Sequence, residues 1–142
     1  MDNSADCDDT DPLVNPDAVE IADNDIDENC DGLDLKTWYA DSDGDGFGDG
    51  NTSLLDNVQP DGYVADNTDC DDTDATINPD TIWYADLDGD GFGDPDSGQT
   101  GCVSPGLEYV LDDNDCDDTD PLVNPGATEI LNNSIDDDCN PS

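Results

Sequence analysis

The sequence predicts a small, loop-rich, mainly irregular fold in which short β-ribbons and one-to-two-turn helices connect tandem acidic loops stapled by disulfides. Three observations carry that expectation. The 142 residues hold 41 Asp and Glu against a single Lys, Lys36, with no Arg or His and a formal net charge of −40. With only 32% hydrophobic residues, such a chain repels itself and lacks apolar surface to bury, so it stays loose unless something neutralises it. The same short phrases also recur along the chain, which defines a tandem array more firmly than any residue propensity. Finally, the six Cys come without His and without a Cys-x-x-Cys pair, a usage that favours disulfides over zinc.

Taken in order, residues 1–36 form a first acidic Cys repeat, opening at Asp6 with Asp-Cys-Asp-Asp-Thr-Asp-Pro-Leu-Val-Asn-Pro. Asn15 is placed as the cap of a short helix with Pro16 next, and Asn124 and Pro125 repeat the arrangement. Residues 37–69 read as a β-ribbon: Thr37-Trp-Tyr-Ala leads into a loop, a polar connector follows, and Tyr63-Val-Ala returns. A truncated second acidic repeat occupies 70–81. Residues 82–114 give a second ribbon from Ile82-Trp-Tyr-Ala and Tyr109-Val-Leu, and 115–142 a third acidic repeat. The aromatics suit a small ribbon core, so metals and disulfides are expected to carry much of the stability.

At the turn of each ribbon lies one nine-residue stretch, Asp41-Ser-Asp-Gly-Asp-Gly-Phe-Gly-Asp49 and Asp86-Leu-Asp-Gly-Asp-Gly-Phe-Gly-Asp94. Carboxylates at places one, three and five, a Gly at six and a carbonyl at seven are what an oxygen-liganded Ca²⁺ loop requires. The expected ligands are Asp41, Asp43, Asp45, the Phe47 carbonyl and Asp49, then Asp86, Asp88, Asp90, the Phe92 carbonyl and Asp94. The Glu that closes an EF-hand at place twelve is missing, since Thr52 and Ser97 stand there. A carboxylate from elsewhere must finish the shell. The acidic phrases are the expected donors: Asp69, Asp71 and Asp74 in the middle, Asp6, Asp8, Asp11 and Asp115, Asp117, Asp120 at the two ends, with Glu20 and Glu129 as further oxygen sources. Oxygen side chains at alternate places also mark Asp23, Asp25, Asp27, Asn29 and Asp31, and Ser134, Asp136, Asp138 and Asn140. The fold expected is thus one of tandem calcium-loop repeats holding several Ca²⁺ ions.

The phrase Asp-Cys-Asp-Asp-Thr-Asp-Pro-Leu-Val-Asn-Pro-Gly-Ala-Thr-Glu-Ile, ending in Ile-Asp-Asp-Asp-Cys, resembles the metal-binding repeat of bacterial secreted and surface proteins, a family named after a methanotroph surface copper protein. The Asp-x-Asp-Gly-Asp-Gly loops are similar to those of thrombospondin type 3 and dockerin modules. The resemblance implies an extracellular, disulfide-containing, cation-loaded module, often repeated beside adhesive or catalytic domains. That family commonly carries a Cys after Glu-Ile, where Ala22 and Leu131 stand here. Copper finds little to bind, because the soft ligands are Met1 and cysteines expected to be oxidised.

Six cysteines allow fifteen connectivities. The simplest joins Cys7 to Cys30 and Cys116 to Cys139, at identical spacing, and leaves Cys70 for Cys102 because the middle repeat lacks the downstream segment. Disulfides and calcium at extracellular levels place the chain outside the cell or on its surface. The charge excludes nucleic acid as a direct partner, and no apolar run is long enough for insertion into a membrane. The N-terminus lacks a basic segment followed by an apolar one, so a removed signal peptide or a piece of a longer chain is expected. The reading is of a non-enzymatic calcium-binding structural module, part of a repetitive stalk, adhesin or fibre, with head-to-tail self-association or neighbouring repeats as its partners. The alternative is a binding or storage protein for another hard cation such as a lanthanide, or for copper. An enzyme would need an Asp beside a metal as its base, and no Asp pair is distinguished by an apolar pocket.

Overall fold

The computed structural model describes residues 7, 8 and 10–140. It divides into two compact units, Met1–Ala75 and Thr76–Ser142, each built round one three-stranded antiparallel sheet. In the first, β1 (Lys36–Ala40) lies between β2 (Ser53–Asp56) and β3 (Tyr63–Val64). Residues Lys36 to Tyr39 of β1 pair with β2, Thr37 opposite Leu55 and Trp38 opposite Leu54, and its C-terminal end, Tyr39 and Ala40, pairs with β3, Ala40 opposite Tyr63. The second unit repeats the plan with β4 (Ile82–Ala85) between β5 (Gln99–Thr100) and β6 (Tyr109–Val110).

The aromatic pair of each central strand explains why so short a ribbon holds. β-Branched and aromatic residues suit a half-buried pleated surface, and each indole also closes its own hairpin. Trp38 Nε1 donates to the Asp56 carbonyl at 3.0 Å and Trp83 Nε1 to that of Gly101 at 2.7 Å. The pairing with Tyr63-Val and Tyr109-Val is the ribbon the sequence predicts. The strands β2 and β5, on the other edge of each central strand, are additions drawn from the connectors.

The expected helices at Asn15 and Asn124 are single turns. The Asn15 carbonyl accepts the Ala18 N–H at 2.8 Å and its side chain the Asp17 N–H at 3.1 Å, and Asn124 does the same with Ala127 and Gly126. The chain then leaves the helical path because buried acids capture the next backbone donors. Glu28 accepts the Ile21 N–H at 3.1 Å and Asp137 accepts that of Ile130 at 2.9 Å. Among the described residues the one helical segment is the short 3-10 turn Pro95–Ser97.

Only Val14, Ala85 and Val123 are buried apolar residues among those described, and no large side chain is fully enclosed. Covalent links compensate for this thin core. Cys7 joins Cys30 and Cys116 joins Cys139, each across 23 residues, and Cys70 and Cys102 are also disulfide-bonded. Cys30 and Cys139 both take left-handed backbone, φ 60° and 55°, a conformation uncommon for a residue with a Cβ. Replacing Cys116 and Cys139 by Ser is expected to cost about 3 kcal/mol in the chain-entropy picture, read as a lower thermal midpoint in calcium.

One acid seats the first repeat on the sheet. Asp23 accepts the Thr37 N–H at 2.8 Å and the Thr37 hydroxyl at 2.6 Å. The Thr37 hydroxyl, then its N–H, then the charge of Lys36 hold the Asp23 carboxyl below the usual range. A depressed carboxyl pKa stabilises the fold above the unfolded value of about 3.9 and loses that contribution as pH falls through the folded value. Acid titration is therefore expected to release the Thr37 amide below about pH 4, followed by its NMR shift and hydrogen exchange. Lys36 itself sits between Asp25 at 2.5 Å and Asp34 at 2.7 Å.

Candidate metal centres

Both Asp/Gly loops are wound by their own carboxylates. The loop leaves the sheet with the Asp41 N–H on the Gly62 carbonyl and re-enters with the Asp49 N–H on Ala40, at 2.9 and 2.8 Å. Asp86 on Glu108 and Asp94 on Ala85 repeat this at 2.7 and 2.9 Å. Inside, Asp41 accepts the N–H groups of Gly44 and Gly46, and Asp86 those of Gly89, Asp90 and Gly91. Gly44, Gly46, Gly89 and Gly91 all have φ between 82° and 98°, and Gly reaches that left-handed region without steric cost.

The third and fifth acids each give one oxygen to the backbone: Asp43 to Asp45 N–H, Asp45 to Phe47 N–H, Asp88 to Asp90 N–H, Asp90 to Phe92 N–H. The other oxygens of Asp43, Asp88 and Asp90 are sealed from solvent with no donor. Asp41, Asp43 and Asp45 present oxygens within 4.8 Å of one another, and so do Asp86, Asp88 and Asp90. That spacing fits oxygens lying about 2.3–2.6 Å from one shared cation.

The acidic phrase that follows each ribbon docks on its loop. The Asp69 N–H donates to the Gly48 carbonyl and the Asp115 N–H to that of Gly93, both at 3.2 Å. This brings in Asp69 Oδ2 and Asp115 Oδ2, which are again sealed and without a donor. The next acid to arrive is the fourth residue of the phrase. Asp72 accepts the Ser42 N–H and Asp118 the Leu87 N–H, each at 2.7 Å. Sequence reasoning missed Asp72 and Asp118, because alternation assumes an extended chain. Here the Asp74 N–H turns back to the Asp71 carbonyl and the Asp120 N–H to that of Asp117, at 2.8 and 2.9 Å. The turn presents acids three apart instead of two.

The remaining acids are placed differently. Asp49 accepts from Asn51 and the Thr52 hydroxyl, and Asp94 caps the Pro95–Ser97 turn through the Asp96 N–H. Asp71 and Asp117 accept from the hydroxyls of Thr73 and Thr119, while Asp8 accepts from Thr10, Asp11 from Leu13 N–H and Asp120 from Leu122 N–H. Asp6 lies outside the described residues. In the first repeat Asp25 is on Lys36, Asp27 accepts from the N–H groups of Asp31 and Gly32, and Asp31 accepts that of Leu33. Asp23, Asp25, Asp27 and Asp31 are not gathered into one cluster among the described residues. In the third repeat Glu129, Asp136 and Asp138 do meet within 4.8 Å. The counterpart of Asp138 in the first repeat is Asn29, whose side-chain oxygen accepts the Asp31 N–H.

Electrostatics separates the two kinds of acid. The Thr52 hydroxyl and then Asn51 hold the Asp49 carboxyl below its ordinary value, and Thr10 does the same for Asp8. Burial pushes Asp43, Asp88 and Asp115 upward, and like charge adds to it: Asp45, Asp69 and Asp41 against Asp43, Asp90 against Asp88, Asp90 and Asp118 against Asp115. Outward acids have donors. Inward acids have one another, an arrangement that a cation among them converts from repulsion to attraction.

A metal-binding family, Cu-binding MopE, described as a "Putative metal-binding motif", matches residues 6–34, 69–82 and 115–142, half of the chain. The chain belongs to that family. No curated protein and no solved structure matches it. Seen in the fold, the family's repeat is the unit that brings Asp69 or Asp115 to a neighbouring Asp/Gly loop, while Asp72 is engaged by Ser42 and Asp118 by the Leu87 N–H. Copper is present in the family's name. There is no His, no cysteine is free, and the inward groups are carboxylate oxygens, whereas copper prefers imidazole, thiolate or thioether. Asp115 does lie beside Cys116 and Cys139, but their sulfurs are joined to each other. No helix among the described residues is long and apolar enough to cross a membrane.

Proposed function

We propose that this metal-binding chain is a non-enzymatic, calcium-binding structural module of an extracellular or cell-surface protein, part of a repetitive stalk, adhesin or fibre. The observation that carries the reading is the set of buried, donor-less oxygens on Asp43, Asp69, Asp88, Asp90 and Asp115. Hard oxygen donors in flexible, Gly-containing loops suit Ca²⁺, which takes six to eight of them. Asp41, Asp43, Asp45 and Asp69 would hold one ion, Asp86, Asp88, Asp90 and Asp115 another, and Glu129, Asp136 and Asp138 a third. A bound dication would supply charge neutralisation at each centre and tie a ribbon loop to the acidic repeat after it. Repeated along a longer array, or head to tail between chains, such ties would stiffen a stalk. The oxidised cysteines support an extracellular setting.

The same all-oxygen donor set favours a lanthanide as the alternative cargo. Calorimetric titration with Ca²⁺, Tb³⁺ and Cu²⁺ separates the readings. Calcium binding that Tb³⁺ competes for and Cu²⁺ does not is the expected result. Copper binding with no calcium binding would sink the proposal.

A further inference from the structure

The two loops differ by one side chain where the third acid of the phrase, Asp72 or Asp118, meets them. Asp72 is saturated by Ser42, its Oδ1 accepting the N–H and its Oδ2 the hydroxyl, both at 2.7 Å. Leu87 stands in the place of Ser42, so Asp118 receives the backbone N–H at its Oδ1 and the side chain of residue 87 has no donor for its second oxygen. In this unit a second trio closes, with Asp88, Asp115 and Asp118 presenting oxygens within 4.8 Å of one another. It overlaps the trio of Asp86, Asp88 and Asp90 only in Asp88. Within it, Asp115 is 5% exposed and its Oδ2 is sealed without a partner. Among the described residues, Asp43, Asp69 and Asp72 make no such trio.

Building on the reading of the loops as calcium sites, we infer that the second Asp/Gly loop holds two hard dications side by side. The additional ion is bound by Asp88, Asp115 and Asp118, Asp88 and Asp115 bridge the pair, and the first loop holds one ion. The need for the second ion is electrostatic. Five carboxylates meet at this loop, and one dication leaves three of their charges uncompensated. The setting is also more enclosed than its counterpart, since Asp86 and Asp115 are buried while Asp41 and Asp69 are half-buried. Uncompensated charge costs more there. Carboxylate-bridged ions about 3.5–4 Å apart are a known arrangement for metal pairs.

Equilibrium dialysis of the full chain at saturating free Ca²⁺ tests this with three variants. Asp118→Asn keeps an oxygen for the Leu87 N–H and is expected to bind one ion fewer per chain than wild type. Asp72→Asn is expected to keep the wild-type count. Leu87→Ser alters a residue that is 66% exposed, adds the hydroxyl that occupies Asp118, and is expected to weaken one ion about tenfold, or about 1.4 kcal/mol. An unchanged count in Asp118→Asn, or equal losses in Asp118→Asn and Asp72→Asn, overturns the inference and leaves the loops as calcium sites. If Asp118→Asn does not fold, the Leu87→Ser titration decides, and an unchanged curve overturns the inference. Wild type binding no calcium at all means that the reading of the loops has failed, and the pair of ions with it.

Discussion

Treated with a calcium chelator, the chain is expected to lose its thermal transition and most of its ribbon dichroism, and to recover both when calcium returns. The formal charge is −40, and the buried apolar side chains among the described residues are three small ones. Burial therefore offers little against the repulsion of acids held together in the loops. A site at a hundred times its dissociation constant adds about 2.7 kcal/mol, so two filled loops supply about 5 kcal/mol. That is comparable to the whole stability of an ordinary domain. The disulfides survive chelation and should leave a compact but mobile chain, visible as a modest rise in hydrodynamic radius. Acid discriminates further. In chelator, Asp43, Asp88 and Asp115 have raised carboxyl pKa values, so their contribution is full below about pH 3.9 and fades as pH rises through the folded values. Asp8, Asp23 and Asp49, held low, act in the opposite sense. In calcium the inward acids must be ionised to bind, so stability there rises with pH through the carboxylate range. A melt indifferent to chelator at pH 7 would show that packing and disulfides suffice.

Much of this architecture was legible because the repeats spell it twice. Trp-Tyr-Ala followed by an Asp/Gly loop and a returning Tyr-Val led to the two ribbons, and equal Cys spacing led to the outer disulfides. What escaped was decided by contacts between segments. β2 rests on Ser53-Leu-Leu-Asp, whose strand character comes from pairing with β1 and not from its composition. Glu28 and Asp137 fall between the acids that alternation selects, yet they are among the most buried polar residues, 4% and 5% exposed, and they divert the chain from helix. Asp72 and Asp118 escaped for the related reason that a turn, not a strand, presents them. A reader of sequence could have found them by noting that Thr follows each one. Thr73 and Thr119 hydroxyls bond Asp71 and Asp117, and that short clasp tightens the turn so that the neighbouring acid faces the loop.

Gly93→Ala is expected to damage both stability and calcium binding more than any surface change in the second unit, with Gly48→Ala its equivalent in the first. A Cβ at Gly93 would lie 2.6 Å from Tyr84 Cβ, 2.8 Å from the Asp112 carbonyl and 3.1 Å from Val110 Cγ2. At Gly48 it would lie 2.7 Å from the Asp66 carbonyl, 2.8 Å from Tyr39 Cβ and 2.9 Å from Val64 Cγ2. The first two atoms in each set are backbone or the root of a side chain, so no rotamer change relieves them. The loop must lift off the central strand or the strand pair must part. Either movement displaces the glycine carbonyl that accepts the Asp115 or Asp69 N–H, and with it the carboxylate brought to the metal centre. Overpacking of this kind costs about 1–3 kcal/mol, and the lost alignment should weaken calcium at that loop by about tenfold or more, the equivalent of about 1.4 kcal/mol. Gly106→Ala is the matched control, because its Cβ would meet only Tyr109 at 3.8 Å, an ordinary contact. Paired melts and calcium titrations should show Gly106→Ala near wild type and Gly93→Ala lower in both. Equal behaviour of the two would mean that close approach of loop and strand is not what aims the acidic repeat.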